Sequence, residues 1–233
     1  MFEKTFENLN KLFQNIEIKK NDYAFEEAVI TMFVYQKFTK ENLAILHTFI
    51  ISHEKYNNNA TIFIFTNLDI SKYKFSHKVK IIYLPYTKSK IMNYRVLFNY
   101  HIFLKFHEFK KIYVFDTDLI AIKNYTHISD KIFDVGITIA NNWQNRKKFP
   151  VNAGFLLINN NNRKKLSNFA KHYLSSYIEV IKNKEIIIKN TKLKHTKIDL
   201  EEWWGDQYLF FYFFDKFPNN IGDSFLYEYK GFR

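Results

Sequence analysis

The sequence contains no cysteine, and only 3 prolines and 5 glycines occur among its 233 residues. The absence of cysteine excludes disulfide bridges, zinc–thiolate sites, iron–sulfur clusters and thiol nucleophiles. The scarcity of proline and glycine excludes collagen-like chains and low-complexity linkers. No run of about 18 uncharged apolar residues occurs, so we expect no transmembrane helix. Hydrophobic residues nevertheless make up 47% of the chain, enough to build a sizeable core and to exclude intrinsic disorder.

Positive charge is in excess, because 35 Lys and Arg residues face 23 Asp and Glu residues and give a formal net charge of +12. Such an excess predicts an anionic partner, either nucleic acid, a membrane surface or a phosphorylated ligand. A coding bias towards lysine explains the charge equally well. The N-terminal residues carry charges throughout and lack the apolar stretch of a secretory signal. We therefore expect a cytoplasmic protein, with peripheral contact to the membrane as an open alternative.

Hydrophobic spacing predicts an amphipathic helix at 2–18 within an N-terminal segment 1–22, followed by alternating strands and helices over 23–233. The helix is expected to dock on the core of the protein, with a membrane or partner surface as the alternative. The predicted strands are short, buried-type apolar runs, at 28–35, 61–66, 79–84, 111–115, 134–140 and 154–158. Predicted helices lie at 41–53, 89–108 and 163–182, and a further one opens near 203–207. This alternation predicts a single α/β domain with a mostly parallel sheet between two layers of helices.

A basic segment at 182–197 interrupts this alternation before the last predicted helix. It is predicted to be a solvated loop or hairpin. Contact of its lysines with an anionic bilayer is the alternative.

Two carboxylates, Asp116 and Asp118, directly follow the predicted strand 111–115. Ligands of open α/β sheets bind beyond the carboxyl ends of the strands. Two acids separated by one residue, here Thr117, can both reach one Mg²⁺ or Mn²⁺ ion, whose remaining positions would suit a diphosphate. Such a short motif also arises by chance, so taken alone it fits a solvated turn as well as a metal site.

Three further segments add polar or small residues to this picture. The run NAGFLLIN places Asn152, Ala153 and Gly154 just before a predicted buried strand, where small residues let a ligand approach the backbone. The run WWGDQ puts Asp206 at the opening of a helix, where it can cap the helix or face a ligand. Arg95 lies near the start of the helix before the acidic pair, where it suits a pyrophosphate or an acidic partner.

In this order, the segments YVFDTDLIAIKN, NAGFLLIN and GDQ resemble the nucleotide-sugar glycosyltransferases of the GT-A fold. They are most similar to the family of glycogenin and the bacterial lipopolysaccharide glucosyl- and galactosyltransferases. The resemblance covers roughly residues 28–231 and implies a Rossmann-like GT-A domain. It also implies transfer of a hexose from a UDP-sugar to a hydroxyl group of a glycan, a lipid-linked glycan or a glycoprotein, with Mn²⁺ or Mg²⁺ as cofactor.

The resemblance assigns a role to each matching residue. Asp116 and Asp118 would be metal ligands. These two residues and Thr117 between them would also contact the nucleotide-sugar donor. Asp206 would hold hydroxyl groups of the donor sugar, and Gln207 would sit close to the anomeric carbon. The remaining nucleotide-sugar-binding residues would be Tyr35 at the nucleobase, Arg95 on the donor side, and Asn152, Ala153 and Gly154 around the sugar.

The C-terminus departs from the family pattern. The family completes its metal site with His-x-x-Gly followed by a phosphate-binding Lys, but this chain has no histidine after His195. Glu228 occupies the histidine position and is an acceptable Mg²⁺ or Mn²⁺ ligand. Lys230 or Arg233 could contact the phosphate, while a plain surface role for Glu228 is the alternative.

Other functions remain open at this stage. The GDQ signature resembles retaining members, whereas an inverting enzyme would need a carboxylate base, for which Asp206, Glu201 and Glu202 are candidates. A non-catalytic GT-A domain that binds glycan or partner proteins is a further alternative. A nucleic-acid-binding function is disfavoured, because the lysines are dispersed and no RNA- or DNA-binding module is recognisable.

Overall fold

The computed structural model describes residues 2–18, 25–84, 90–130, 133–139, 151–185 and 205–213. Within them the strands of the sheet are β1 Glu27–Phe33, β2 Ala60–Thr66, β3 Val79–Tyr83, β4 Lys111–Phe115, β5 Val135–Ile139 and β6 Val151–Asn159. The helices are α1 Phe2–Gln14, α2 Lys40–Tyr56, α3 Ile91–Lys105, α4 Arg163–Lys182 and α5 Gly205–Phe213, with a 3₁₀ helix at Thr126–Asp130. The predicted N-terminal helix is thus four residues shorter than expected, and α3 is five residues shorter than the predicted helix at 89–108. The other predicted elements lie within about three residues of their expected bounds, and the 3₁₀ helix was not predicted.

The six strands form one sheet in the order β3-β2-β1-β4-β6-β5. Strand β1 is parallel to both β2 and β4, and β2 is parallel to β3. Strand β6 runs antiparallel to its neighbours β4 and β5. The predicted α/β fold with a mostly parallel sheet is therefore confirmed, and the one reversed strand is what the sequence pattern did not show.

Helices cover both faces of the sheet, which explains why the central strands are apolar throughout. Every residue of β2 is buried, because parallel strands packed on both faces have no solvent side. On β1, Ala28 and Ile30 point into the core layer formed with α1, α3, α4 and α5. The alternate residues Val29 and Phe33 point into the layer formed with α2.

Strand β6 begins three residues earlier than the apolar run GFLLI predicted. Asn152 and Ala153 lie inside the strand rather than before it. The reason is the pairing with β5, whose residues Thr138 and Ile139 align with Asn152 and Val151 after a register shift. Backbone hydrogen bonds to a neighbouring strand thus extend β6 through residues that have little strand propensity of their own.

Helix α1 docks on α3, as its spacing predicted. Phe6, Leu9 and Phe13 are buried in the larger core layer. The ring of Phe13 stacks on His101 at 5.5 Å, and His101 Nε2 lies 2.8 Å from Asn10 Oδ1. The apolar stripe of α1 is therefore used for the core of the protein. Among the residues described, we find no helix with the length and apolarity needed to cross a membrane.

Two buried histidines make stability depend on pH. Burial lowers the pKa of His53 to about 4, and burial together with the charge of Lys105 lowers the pKa of His101 to about 4. An unfolded histidine titrates near 6.5, so the unfolded chain binds more protons than the folded chain between these values. Stability contributed by the neutral imidazoles is complete above about pH 6.5 and is lost as the pH falls towards about 4.

We predict that the free energy of unfolding decreases as the pH is lowered from about 7 to about 5. The decrease should be up to about 1.4 kcal/mol per pH unit for each histidine. The variant His101→Gln should lose the part of this pH dependence that His101 contributes, since the amide that replaces the imidazole does not titrate. Equilibrium urea denaturation of both proteins across this range measures the slopes. Equal slopes for the variant and the wild type would contradict the prediction.

Candidate active site

The candidate site lies at the edge of the sheet where β1 and β4 end and where β6 begins. Because β6 is antiparallel to β4, its first residues meet the turn that follows β4. The backbone N–H of Asp116 donates to the carbonyl of Gly154 at 2.7 Å. The acidic turn, residues 116–118, and the NAG segment, residues 152–154, are therefore neighbours in the structure although they are far apart in sequence.

The side chain of Arg95, on α3, joins the parts of this edge. Its Nη2 lies 2.9 Å from Asp116 Oδ1 and donates to the carbonyl of Ala153 at 3.0 Å. Its Nε lies 3.4 Å from Asp206 Oδ2, a charge contact without hydrogen-bond geometry. Arg95 is only 4% exposed. One buried guanidinium thus connects four of the segments that the sequence singled out: the Arg95 helix, the acidic pair, NAGFLLIN and GDQ.

Burial and charge set the protonation of this cluster. Burial is the largest influence on Arg95 and lowers its pKa, but the charges of Asp116 and Asp206 outweigh it and the pKa is raised. Burial raises the pKa of Asp206 to about 6, against the attraction of Arg95. Burial and the charge of Asp206 also raise the pKa of Tyr173, whose hydroxyl accepts a hydrogen bond from Asn99 at 3.2 Å. The interior of the site therefore contains a fixed cation, a buried acid and a neutral phenol.

The acidic turn presents its two carboxylates to solvent and its threonine to the interior. The Asp116 side chain is 47% exposed, and Asp118 is exposed. Thr117 is buried, with its hydroxyl 3.0 Å from the hydroxyl of Thr31 and donating to the carbonyl of Met32 at 3.1 Å. The side chain of Thr117 thus fixes the turn on β1, which leaves its backbone as the part that can face a ligand.

The NAG segment, residues 152–154, contains a glycine at which an added side chain would displace its neighbours. A Cβ on Gly154 would lie 2.8 Å from Asp116 Oδ2, closer than real Cβ contacts, and 3.0 Å from Asn152 Oδ1, so that these side chains would have to shift. Asn152 is exposed, and its Oδ1 accepts the N–H of Gly154 at 2.8 Å. The glycine therefore lets the carboxylate of Asp116 lie directly against β6, beside an exposed amide.

Tyr35 and Gln207 complete the residues that the structure brings to this edge. Tyr35 follows β1, and burial together with the charges of Asp118 and Asp116 raises the pKa of its phenol. Gln207 is half-buried on the first turn of α5, and its backbone N–H donates to Asp206 Oδ1 at 2.7 Å. The side chain of Asp206 itself is buried and faces Arg95.

Sequence reasoning missed three supporting residues. Asn67 clamps the backbone of Tyr35, accepting from its N–H at 3.0 Å and donating to its carbonyl at 2.8 Å. Asn67 directly follows an apolar strand, the same signal that drew attention to Asp116, so the sequence could have revealed it. Thr31 and Tyr173 lie inside a strand and a helix, and no sequence signal marks them.

The described residues contain two of the three expected metal ligands. Asp116 and Asp118 offer carboxylate oxygens, which suit Mg²⁺ and Mn²⁺. Glu228, Lys230 and Arg233, as well as Glu201 and Glu202, lie outside the described residues. Within the described part of the chain, no group of three or more His, Cys, Asp or Glu side chains could hold a metal ion.

We predict that Arg95→Met lowers the free energy of unfolding by about 3–5 kcal/mol, because it leaves the buried acid Asp206 without its counter-ion. Adding Asp206→Asn to this variant should recover part of the loss. The matched control is Lys110→Met, which breaks an exposed pair with Glu26 at 2.7 Å and should cost at most about 1 kcal/mol. Urea denaturation measures all three, and equal losses for Arg95→Met and Lys110→Met would contradict the prediction.

Comparison with known proteins places this geometry in a fold. No protein-family model and no curated protein matches the chain. Among solved structures, the glycosyltransferase GlyE of Streptococcus pneumoniae TIGR4 aligns at a TM-score of 0.50 and 18% identity, over 80% of this chain and 42% of that one. This chain therefore spans less than half the length of GlyE.

Two other glycosyltransferases align less closely. The galactosyltransferase LgtC, in complex with donor and acceptor sugar analogues, has a TM-score of 0.45 and 14% identity, over 78% of this chain and 69% of that one. Mouse xyloside xylosyltransferase 1 has a TM-score of 0.43 and 14% identity, over 79% of this chain and 80% of that one. With the six-stranded sheet and its one reversed strand beside the acidic turn, the likeness to GlyE shows that this chain has the GT-A glycosyltransferase fold.

Proposed function

We propose that this protein is a metal-dependent glycosyltransferase that moves a hexose from a UDP-sugar to a hydroxyl group of a glycan, a lipid-linked glycan or a glycoprotein. The observation that carries the proposal is the contact of one buried cation, Arg95, with Asp116, Ala153 and Asp206. This contact holds Asp116, the first member of the acidic pair, at the carboxyl edge of a GT-A sheet, where open α/β sheets bind their ligands.

The acidic pair is proposed to hold Mn²⁺ or Mg²⁺. The fit rests on two oxygen donors at the surface, Asp116 and Asp118, with Arg95 fixing one oxygen of Asp116. A divalent cation bound there would supply positive charge to the leaving diphosphate. Glu228 is proposed as a third ligand and Lys230 as a phosphate contact.

The donor is proposed to lie along the line from Tyr35 to Gln207. The phenol of Tyr35, whose backbone is held by the side chain of Asn67, would stack on the nucleobase. The backbone of Thr117 and the NAG segment would face the ribose and the sugar, where Gly154 leaves room beside Asp116. The amide of Asn152 is exposed on the same side and can donate to or accept from a sugar hydroxyl.

We propose retention of configuration at the anomeric carbon. Asp206 is buried and contacts Arg95, an arrangement that suits a fixed partner for the donor sugar better than a mobile base for an acceptor. In a front-face transfer, the acceptor oxygen bonds to the anomeric carbon as the bond to the diphosphate oxygen breaks. The leaving phosphate oxygen takes the acceptor proton. Gln207 would sit beside the oxocarbenium-like centre that develops in this step.

Calorimetric titration of UDP with Mn²⁺, Mg²⁺ or EDTA tests the donor site. We expect binding that needs the metal and that weakens by about tenfold or more in Asp118→Asn, because a ligand to the metal is lost. The control is Glu26→Gln, an exposed acid that directly precedes β1 at the opposite edge of the sheet, and it should bind as the wild type does. Wild-type binding that is indifferent to metal and to Asp118→Asn would contradict the proposal and favour a binding domain or another donor.

Gly154→Ala is predicted to weaken metal-dependent UDP binding by about tenfold, since the added methyl group displaces the carboxylate of Asp116. The matched control is Gly136→Ala on β5, where the new Cβ would lie 3.3 Å from the ring of Phe133 and away from the acidic turn. Calorimetry on both variants, with circular dichroism to check folding, measures the difference. Unchanged affinity in Gly154→Ala would mean that Asp116 does not act from the position described.

A further inference from the structure

The exposed large hydrophobic side chains are concentrated on one side of the protein. Apart from Tyr83 on β3, those of the described residues lie on α2 or between 119 and 128. The most exposed are Ile122 at 79%, Ile51 at 62% and Ile120 at 54%, and Leu119 is 38% exposed. Large exposed apolar groups that cluster in this way mark interaction surfaces, whereas scattered single ones need no explanation.

Contacts join α2 to the segment that follows the acidic turn. The N–H of Ala121 donates to the hydroxyl of Ser52 at 3.2 Å, next to Ile51. His53 Nδ1 lies 2.9 Å from the hydroxyl of Tyr125. Beside this contact a cleft of about 190 Å³ is lined by Leu119, Ile120 and Ile122. We call Ile51, Leu119, Ile120 and Ile122 the aliphatic patch.

The composition of the aliphatic patch favours lipid over protein as its partner. Protein–protein interfaces are enriched in aromatic residues, Met and Arg, and their energetic centres are rarely Leu. The exposed members of the patch are only isoleucine and leucine. Ile122, with 79% of its surface exposed, projects from the surface, as a side chain that enters a lipid layer must.

Charge complementarity points the same way. Lys123 directly follows Ile122, and Lys55 lies one helical turn after Ile51 on the same face of α2; both are exposed. The chain as a whole carries a net charge of +12. Lysines at the border of an apolar surface are attracted to anionic lipid headgroups.

We propose that the aliphatic patch, bordered by Lys55 and Lys123, docks this protein on an anionic lipid bilayer. The other apolar candidate, the stripe of α1, is already packed in the core on the opposite face of the sheet. Leu119 directly follows Asp118, so docking would bring the acidic turn close to the lipid surface, which suits a lipid-linked acceptor. That consequence rests on the proposed function, whereas the docking itself does not.

Co-sedimentation with vesicles of phosphatidylglycerol and phosphatidylcholine, without any sugar donor, tests the docking. We expect the wild type to bind these vesicles, and Ile122→Asp to bind about tenfold more weakly, because it places a charge where an apolar group enters the lipid. Ile122→Leu should restore binding. Vesicles of phosphatidylcholine alone should bind the wild type weakly, since the attraction to anionic headgroups is absent.

A second pair of variants separates local from overall charge. Lys123→Glu should weaken binding more than Lys171→Glu, which makes the same change on an exposed residue of α4 on the other face of the sheet.

The docking proposal fails if the wild type does not bind, or if Ile122→Asp binds as the wild type does. It also fails if Ile122→Asp converts a dimer into a monomer in light scattering without lipid, because the patch would then join two copies of the chain. Failure of UDP binding with intact vesicle binding would count against the proposed function alone.

Discussion

A buried guanidinium sets the arrangement of the candidate site. Removing Arg95 from water is costly, and the cost is offset only because Asp116, Asp206 and the carbonyl of Ala153 surround it. Since these partners come from the turn after β4, from α5 and from β6, the cation is satisfied only when all three have assembled on α3. Buried ion pairs contribute little net stability compared with apolar packing. The structural effect of the buried cation is to hold Asp116 against β6 and α5.

The reversed direction of β6 is the second constraint. In a wholly parallel sheet, the beginning of β6 would lie at the amino edge, far from the carboxyl end of β4. The antiparallel pairing instead brings Gly154 against Asp116, where the absence of a side chain leaves room for the carboxylate. Thr117 fixes the other side of the turn through Thr31 on β1. The acidic turn is thus held from both neighbouring strands while its two carboxylates face solvent.

The two faces of the sheet are covered unequally, and this links the site to its surroundings. Among the described residues, one face has four helices, and their aromatic side chains and the apolar stripe of α1 fill a large core. The other face is covered by α2 and by the segment that follows the acidic turn, and it ends in exposed isoleucines. The same short stretch of chain therefore carries Asp118 at one end and apolar surface at the other. The proposed donor site and the aliphatic patch are therefore adjacent in the structure.

Local sequence determined the elements of this protein, because burial on both faces leaves a direct imprint as an apolar run. Strand β4 at Lys111–Phe115 and helix α4 at Arg163–Lys182 have the predicted bounds. The order of the sequence motifs also predicted the GT-A fold. The sequence also pointed to Asp116, Arg95, Gly154 and Asp206 as separate candidates. Tertiary structure alone decided the direction and start of β6, the inward orientation of Thr117 and the contacts of Arg95 with both acids. These depend on which strands and helices become neighbours, and that choice is made by long-range packing and hydrogen bonding, which leave no period in the local sequence.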